Sequence, residues 1–106
     1  MPEKSAIERH LARALGQRLQ ALRLDQGLSQ EQVAHGAGIS RNQYQLLEAG
    51  LSDRAKQRPV NPRLSTLSGV ARVYGLTTSA LIALILDEHE SGKSAGSARS
   101  AVRAGR

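Results

Sequence analysis

Arg41, Asn42 and Gln45 lie between positions 41 and 45 and are the side-chain types best suited to reading the edges of DNA base pairs. An arginine fork bonds guanine O6 and N7 together, asparagine and glutamine amides do the same for adenine N6 and N7, and a leucine such as Leu46 covers a thymine methyl. Each good two-point contact discriminates by about 1–3 kcal/mol, so two or three per subunit become useful once a dimer doubles them. No competing chemistry is visible. The chain has no cysteine, which excludes thiolate zinc sites, disulfides and cysteine nucleophiles. His10, His35 and His89 are scattered, with no second histidine at ligand spacing, so neither a metal site nor a catalytic histidine is expected. A glycine-rich phosphate loop, a triad and a clustered acid pair are also missing from the sequence, which points away from an enzyme and from any cofactor.

A shared reading face requires a helix that turns these side chains to one side. Ser40 followed by Gln43 is a capping box, and Gly50 suits a left-handed stop, which predicts a third helix from Arg41 to about Ala49. On it, Tyr44 and Leu47 continue the apolar side that begins at Ile39, leaving Arg41, Asn42, Gln45 and Leu46 opposite. Ser29 with Gln32 is a second capping box, opening a helix of about two turns that carries Val33 and Ala34 and ends before Gly38. Two short helices joined by Ala37-Gly38-Ile39 are the arrangement that lets the second one enter a major groove.

The remaining elements frame that unit. Ser5 with Glu8 predicts a long first helix from about Ala6 to Gln26, with Ile7, Leu11, Leu15, Leu19 and Leu22 on its inner side. Residues 51–61 read as a polar loop. Asn61 and Pro62 are then expected to open a fourth helix that ends before Gly75, and Thr77 or Thr78 to cap a fifth. Phe and Trp are absent and only Tyr44 and Tyr74 are aromatic, so Leu, Ile, Val and Ala must build the core, a composition that suits packed helices. The expectation is an all-α single domain over 6–90, with a flexible segment 1–5 before it and a disordered basic tail 91–106 after it.

Net charge is +6, but residues 91–106 hold Lys93, Arg99, Arg103 and Arg106 with no acid, so most of the excess lies in the tail. Between residues 41 and 63, Arg41, Arg54, Lys56, Arg58 and Arg63 stand against only Glu48 and Asp53, a modest patch of the kind that meets phosphate or simply a solvated surface. The amino terminus lacks the apolar stretch of a signal peptide, and the apolar run Ala80–Leu86 is too short to span a bilayer. A cytoplasmic protein, nucleoid-associated when bound to DNA and with no membrane partner, is the expectation.

The ordered series Leu28-Ser29-Gln30-Glu31-Gln32-Val33-Ala34, Ala37-Gly38-Ile39-Ser40-Arg41, Leu47-Glu48-Ala49-Gly50, Pro62-Arg63-Leu64-Ser65-Thr66-Leu67 and Gly75-Leu76-Thr77 resembles the Cro and phage-repressor (Xre-type) helix-turn-helix family. The resemblance runs from Leu15 to Leu81. It implies a five-helix, lambda-repressor-like fold that is usually dimeric and represses transcription by occupying operators. It also implies that Arg41 and Asn42 read bases, with Gln45 beside them, and that Leu46 either meets a thymine methyl or packs against a partner subunit. Ser29 and Gln30, at the start of the second helix, would meet a DNA phosphate, or Gln30 would steady a recognition residue. Arg23 and Glu48 would form a partly buried ion pair that positions the third helix. The chain departs from the family in the length of 51–61, whose Arg54, Lys56 and Arg58, with Arg63 just beyond, either contact backbone phosphate or belong to a disordered insertion.

The fifth helix is apolar on more than one face, which makes Ile82, Ile85 and Leu86 candidates for a two-fold contact; the first half of the long first helix is a second candidate. The function expected is a dimeric, sequence-specific regulator, a repressor bound to palindromic double-stranded DNA. Two alternatives stand beside it: an antitoxin that represses its own operon and binds a toxin partner, and a protein-interaction adaptor on the same fold.

Overall fold

Pro2 opens the first helix of the computed structural model, which describes residues 2–94, with side chains from 6 to 87. α1 spans Pro2–Asp25, so Ser5 lies within the helix instead of capping it, and the segment expected to be flexible is helical from residue 2. Proline suits a first helical turn because its φ is already helical and its missing N–H is one that a helix start leaves unpaired. At the far end the Leu28 N–H returns to the Arg23 carbonyl at 3.0 Å and closes the helix.

α2 spans Gln30–Ala37 and α3 spans Arg41–Ala49, and both expected capping boxes form. The Ser29 hydroxyl accepts the Gln32 N–H at 3.0 Å while Gln32 accepts the Ser29 N–H at 2.8 Å. Ser40 and Gln43 repeat the exchange at 3.0 and 3.1 Å. Gly38 and Gly50 end the two helices at φ of 75° and 73°, left-handed values that a side chain would strain.

The stretch expected as a loop contains a small hairpin. β1 (Leu51–Asp53) pairs antiparallel with β2 (Arg58–Pro59), with Leu51 opposite Pro59 and Asp53 opposite Arg58. Its tip is built by side chains: Asp53 Oδ1 accepts the N–H groups of Ala55 at 2.9 Å and Lys56 at 3.3 Å, and Gln57, at φ 54°, donates to the Arg54 carbonyl at 2.7 Å. The Val60 N–H then bonds the Gly50 carbonyl at 3.0 Å, tying the hairpin base to the end of α3.

Extended backbone up to this point delays the next helix. α4 spans Leu64–Val73 with Arg63 as its cap residue and no capping side chain, so Asn61 and Pro62 lie ahead of the helix. α5 spans Thr78–Ser94, and Thr77 Oγ1 accepts the Ala80 N–H at 3.1 Å, which settles the cap on Thr77. The helix passes the expected boundary at Glu90; the rest of the predicted tail, residues 95–106, lies outside the described residues.

α1 packs on α3 and α5, and α2 on α3 and α4, around Leu19, Val33, Tyr44, Val70 and Leu81, which are fully buried. Burial of each such aliphatic side chain stabilises the fold by about 1.5–3 kcal/mol. Tyr44 and Tyr74 join their hydroxyls at 2.5 Å inside this core, and the Tyr74 hydroxyl also reaches the Leu19 carbonyl at 3.5 Å. α1 and α3 touch backbone to backbone at Gly16, where a Cβ would fall 2.3 Å from the Glu48 carbonyl oxygen. Ile85 belongs to the core at 8% exposure, because α5 turns it inward with Leu81, and it also lines a cleft with Ile82 and Leu86. Ile82 stays half-buried and Leu86 exposed. No single helix among the described residues is long and apolar enough to cross a membrane.

Candidate nucleic-acid interface

The caps at Ser40 and Gly50 fix both ends of α3, and its amphipathic pattern fixes its rotation. Tyr44 and Leu47 enter the core at 0% and 4% exposure, which turns Arg41 and Asn42 outward as exposed side chains. Gln45 and Leu46 are half-buried beside them. The four residues expected on one face are therefore brought together at the outer side of the helix. Among the described residues, Arg41 and Asn42 make no side-chain hydrogen bond within the domain, so their donors and acceptors face outward unspent.

Behind that face runs a polar brace. Arg23 Nε donates to Glu48 Oε2 at 2.6 Å and Arg23 Nη2 to Glu48 Oε1 at 3.2 Å, a two-point pair between the end of α1 and the end of α3. Arg23 Nη1 also donates to the Leu28 carbonyl at 3.1 Å, so one guanidinium ties α1 to both the entry of α2 and α3. Side-chain exposure is only 12% for Arg23 and 6% for Glu48, and the bond to Glu48 raises the guanidinium pKa above its already high value.

Gln30 extends the brace to the outer face of α3. Its Nε2 donates to Glu48 Oε1 at 3.0 Å, and its Oε1 accepts from Gln45 Nε2 at 3.3 Å. Gln30 thus holds Gln45 against Glu48, the contact that the steadying role expected for Gln30 requires. Ser29 is exposed, but its hydroxyl is engaged with the Gln32 N–H as a cap.

Arg54, Lys56 and Arg58 are exposed on the hairpin, and Arg63 is exposed at the start of α4. A cleft of about 440 Å³ between α3, the hairpin base and α4 brings Arg63 beside Gln43 and Leu46 of α3. Asn61, Ser65 and Thr66 line the same cleft, and sequence reasoning did not single them out as interface residues. No local signal marks them, because the cleft exists only once Val60 has bonded back to Gly50.

A family model described as a helix-turn-helix domain matches residues 14–84, the span that runs from the middle of α1 through the brace and the outward face to α5. The chain belongs to the helix-turn-helix domain family. Among similar proteins, the cryptic phage CTXphi transcriptional repressor RstR of Vibrio cholerae is 31% identical over 65 residues, 61% of this chain and 51% of that protein. The immunity repressor protein of Bacillus phage phi105 is 38% identical over 68 residues, 64% of this chain and 42% of that protein. The chain thus matches about half the length, or less, of these curated relatives. The crystal structure of the clp gene regulator ClgR from Corynebacterium glutamicum superposes with a TM-score of 0.64 at 18% identity, over 91% of this chain and 94% of that one, a likeness of fold. Phage-repressor relatives agree with the type of helix-turn-helix that the residue series suggested.

Proposed function

We propose that this protein is a sequence-specific DNA-binding transcriptional regulator, a repressor that occupies a palindromic operator as a homodimer with α3 in the major groove. The observation that carries the reading is the pairing of an unspent polar face, Arg41 and Asn42, with a brace, Arg23–Glu48–Gln30–Gln45, that fixes its orientation. Helix-turn-helix domains are DNA-binding modules and not enzymes, and two similar proteins are named as repressors. In this reading Arg41, Asn42 and Gln45 read base edges, Leu46 meets a thymine methyl, and Arg54, Lys56, Arg58 and Arg63 hold the phosphates on either side. The apolar side chains left outside the core, Leu64 at 67% and Leu86 at 44% exposure with half-buried Ile82, support a two-fold contact across α4 and α5. The protein works in the cytoplasm, on the nucleoid.

Selection of binding sites from random duplex DNA, followed by titration at two salt concentrations, tests this. The expected result is an enriched, two-fold symmetric pair of half-sites whose preference is lost in R41A/N42A while non-specific affinity persists. A steep salt slope with no enriched half-site overturns it.

A further inference from the structure

The amino-terminal half of α1 lies ahead of the span matched to the helix-turn-helix family, yet it is folded against the hairpin that follows α3. Arg9 and Arg13 are four residues apart and so share one face of α1. Both are exposed, and both line a cleft of about 240 Å³ whose other wall is Gly50, Leu51, Gln57 and Pro59. No acidic residue lines this cleft, and the hairpin that supplies its Leu51, Gln57 and Pro59 also carries the exposed cations Arg54, Lys56 and Arg58. The one carboxylate of the hairpin, Asp53, is occupied by the N–H groups of Ala55 and Lys56. Nor are the arginines needed to complete the end of α3. The carbonyls of Leu46 and Leu47 take the Gly50 N–H, and the Gly50 carbonyl takes the Val60 N–H.

We infer that Arg9 and Arg13, with the hairpin, form a second phosphate-binding surface that grips the DNA backbone outside the half-site read by α3. Two guanidinium forks on one helix face match the bidentate geometry of phosphate oxygens, and a hairpin rooted at Gly50 makes the surface continuous with the recognition helix. Each additional phosphate neutralised releases counterions and deepens the salt dependence without adding base preference. The inference rests on the DNA-binding reading above.

The test compares the full chain with R9A/R13A and R9K/R13K on two duplexes that carry the same selected half-sites, one ending at the site and one extended by about a helical turn on each side. Wild type is expected to bind the extended duplex several-fold more tightly. In R9A/R13A that advantage disappears and the slope of log K against log salt becomes shallower by about 1–2. Base preference stays as in wild type, and R9K/R13K restores the slope but only part of the affinity. Exposed positions of a helix tolerate alanine, and circular dichroism checks that the fold persists. If wild type binds no DNA, the functional reading itself falls. If wild type binds but R9A/R13A keeps the same slope and the same response to flanking DNA, the inference is overturned and the cleft serves another partner, such as an acidic protein segment.

Discussion

Glu48 Oε1 accepts hydrogen bonds from both Arg23 Nη2 and Gln30 Nε2, so a single carboxylate oxygen joins the end of α1 to the start of α2 from its own place on α3. With the carboxylate 6% exposed, removing either charged partner leaves the other largely out of water. Glu48→Ala and Arg23→Ala should each destabilise the fold by about 2–4 kcal/mol, well above the 1 kcal/mol or less of a surface pair. Urea unfolding measures this, and a double variant that costs clearly less than the sum of the singles identifies the pair as the cause.

Gln30 holds Gln45 through one hydrogen bond and stands behind the reading face. Gln30→Ala should therefore weaken discrimination at the same base pair that Gln45→Ala affects, by about 3- to 10-fold, the equivalent of about 1 kcal/mol. Stability should change by less than that. Affinities for the selected site and for single-base variants of it check the coincidence; a loss at a different base pair, or a uniform loss on all sequences, sinks it.

The two tyrosine hydroxyls satisfy each other in the core. Tyr44→Phe or Tyr74→Phe leaves one of them buried and short of a partner, at a cost of about 1–2 kcal/mol, and the double variant should cost less than the two singles together.

The same pair sets an alkaline limit. Burial, then the bond to Tyr74, pushes the Tyr44 hydroxyl far above its ordinary range, and burial raises Tyr74 as well. In the unfolded chain tyrosine loses its proton near pH 10, whereas the folded chain retains it, so the contribution is intact below about pH 10 and shrinks as pH rises beyond. The urea midpoint should fall between about pH 9 and pH 11, and the double phenylalanine variant should lose most of that dependence.

Gly16 permits the close approach of α1 and α3. Alanine in the middle of a helix ordinarily gains about 0.5–1 kcal/mol over glycine. Here its methyl would meet backbone at the Glu48 carbonyl, and the helices must part. Gly16→Ala should therefore destabilise by at least about 2 kcal/mol, a reversal of sign that a thermal melt reads directly.

How much of this was legible in the sequence follows from the range of the interactions involved. The capping boxes at Ser29 and Ser40 are reciprocal bonds between residues three apart, so residue type and spacing specify them. Tyr44 and Leu47 were placed inward by helical period alone, and the reading face followed by exclusion. The hairpin is different: two- and three-residue strands are too short to show alternation, and the turn depends on Asp53 and on a left-handed Gln57. The start of α4 is also later than the Asn61-Pro62 pair suggests, since the backbone is still extended at Arg63, the cap residue. The inward turn of Ile85 is not legible, because a helix that is apolar on several faces does not announce which one packs in the core. The Gln30–Gln45 contact bridges two helices, and only their crossing brings the amides together.

Arg41 and Asn42 stand apart from the brace, while Gln45 is bound into it. Exchanging the first two residues disturbs no internal bond, so under the proposed function variants of this domain would drift toward new operators at positions 41 and 42 without eroding the fold. Position 45 is coupled to Gln30 and, through it, to Glu48, so retargeting there has to proceed in concert with the framework. A library that randomises 41 and 42 first, and 45 only together with 30, follows the path along which such a protein can diverge.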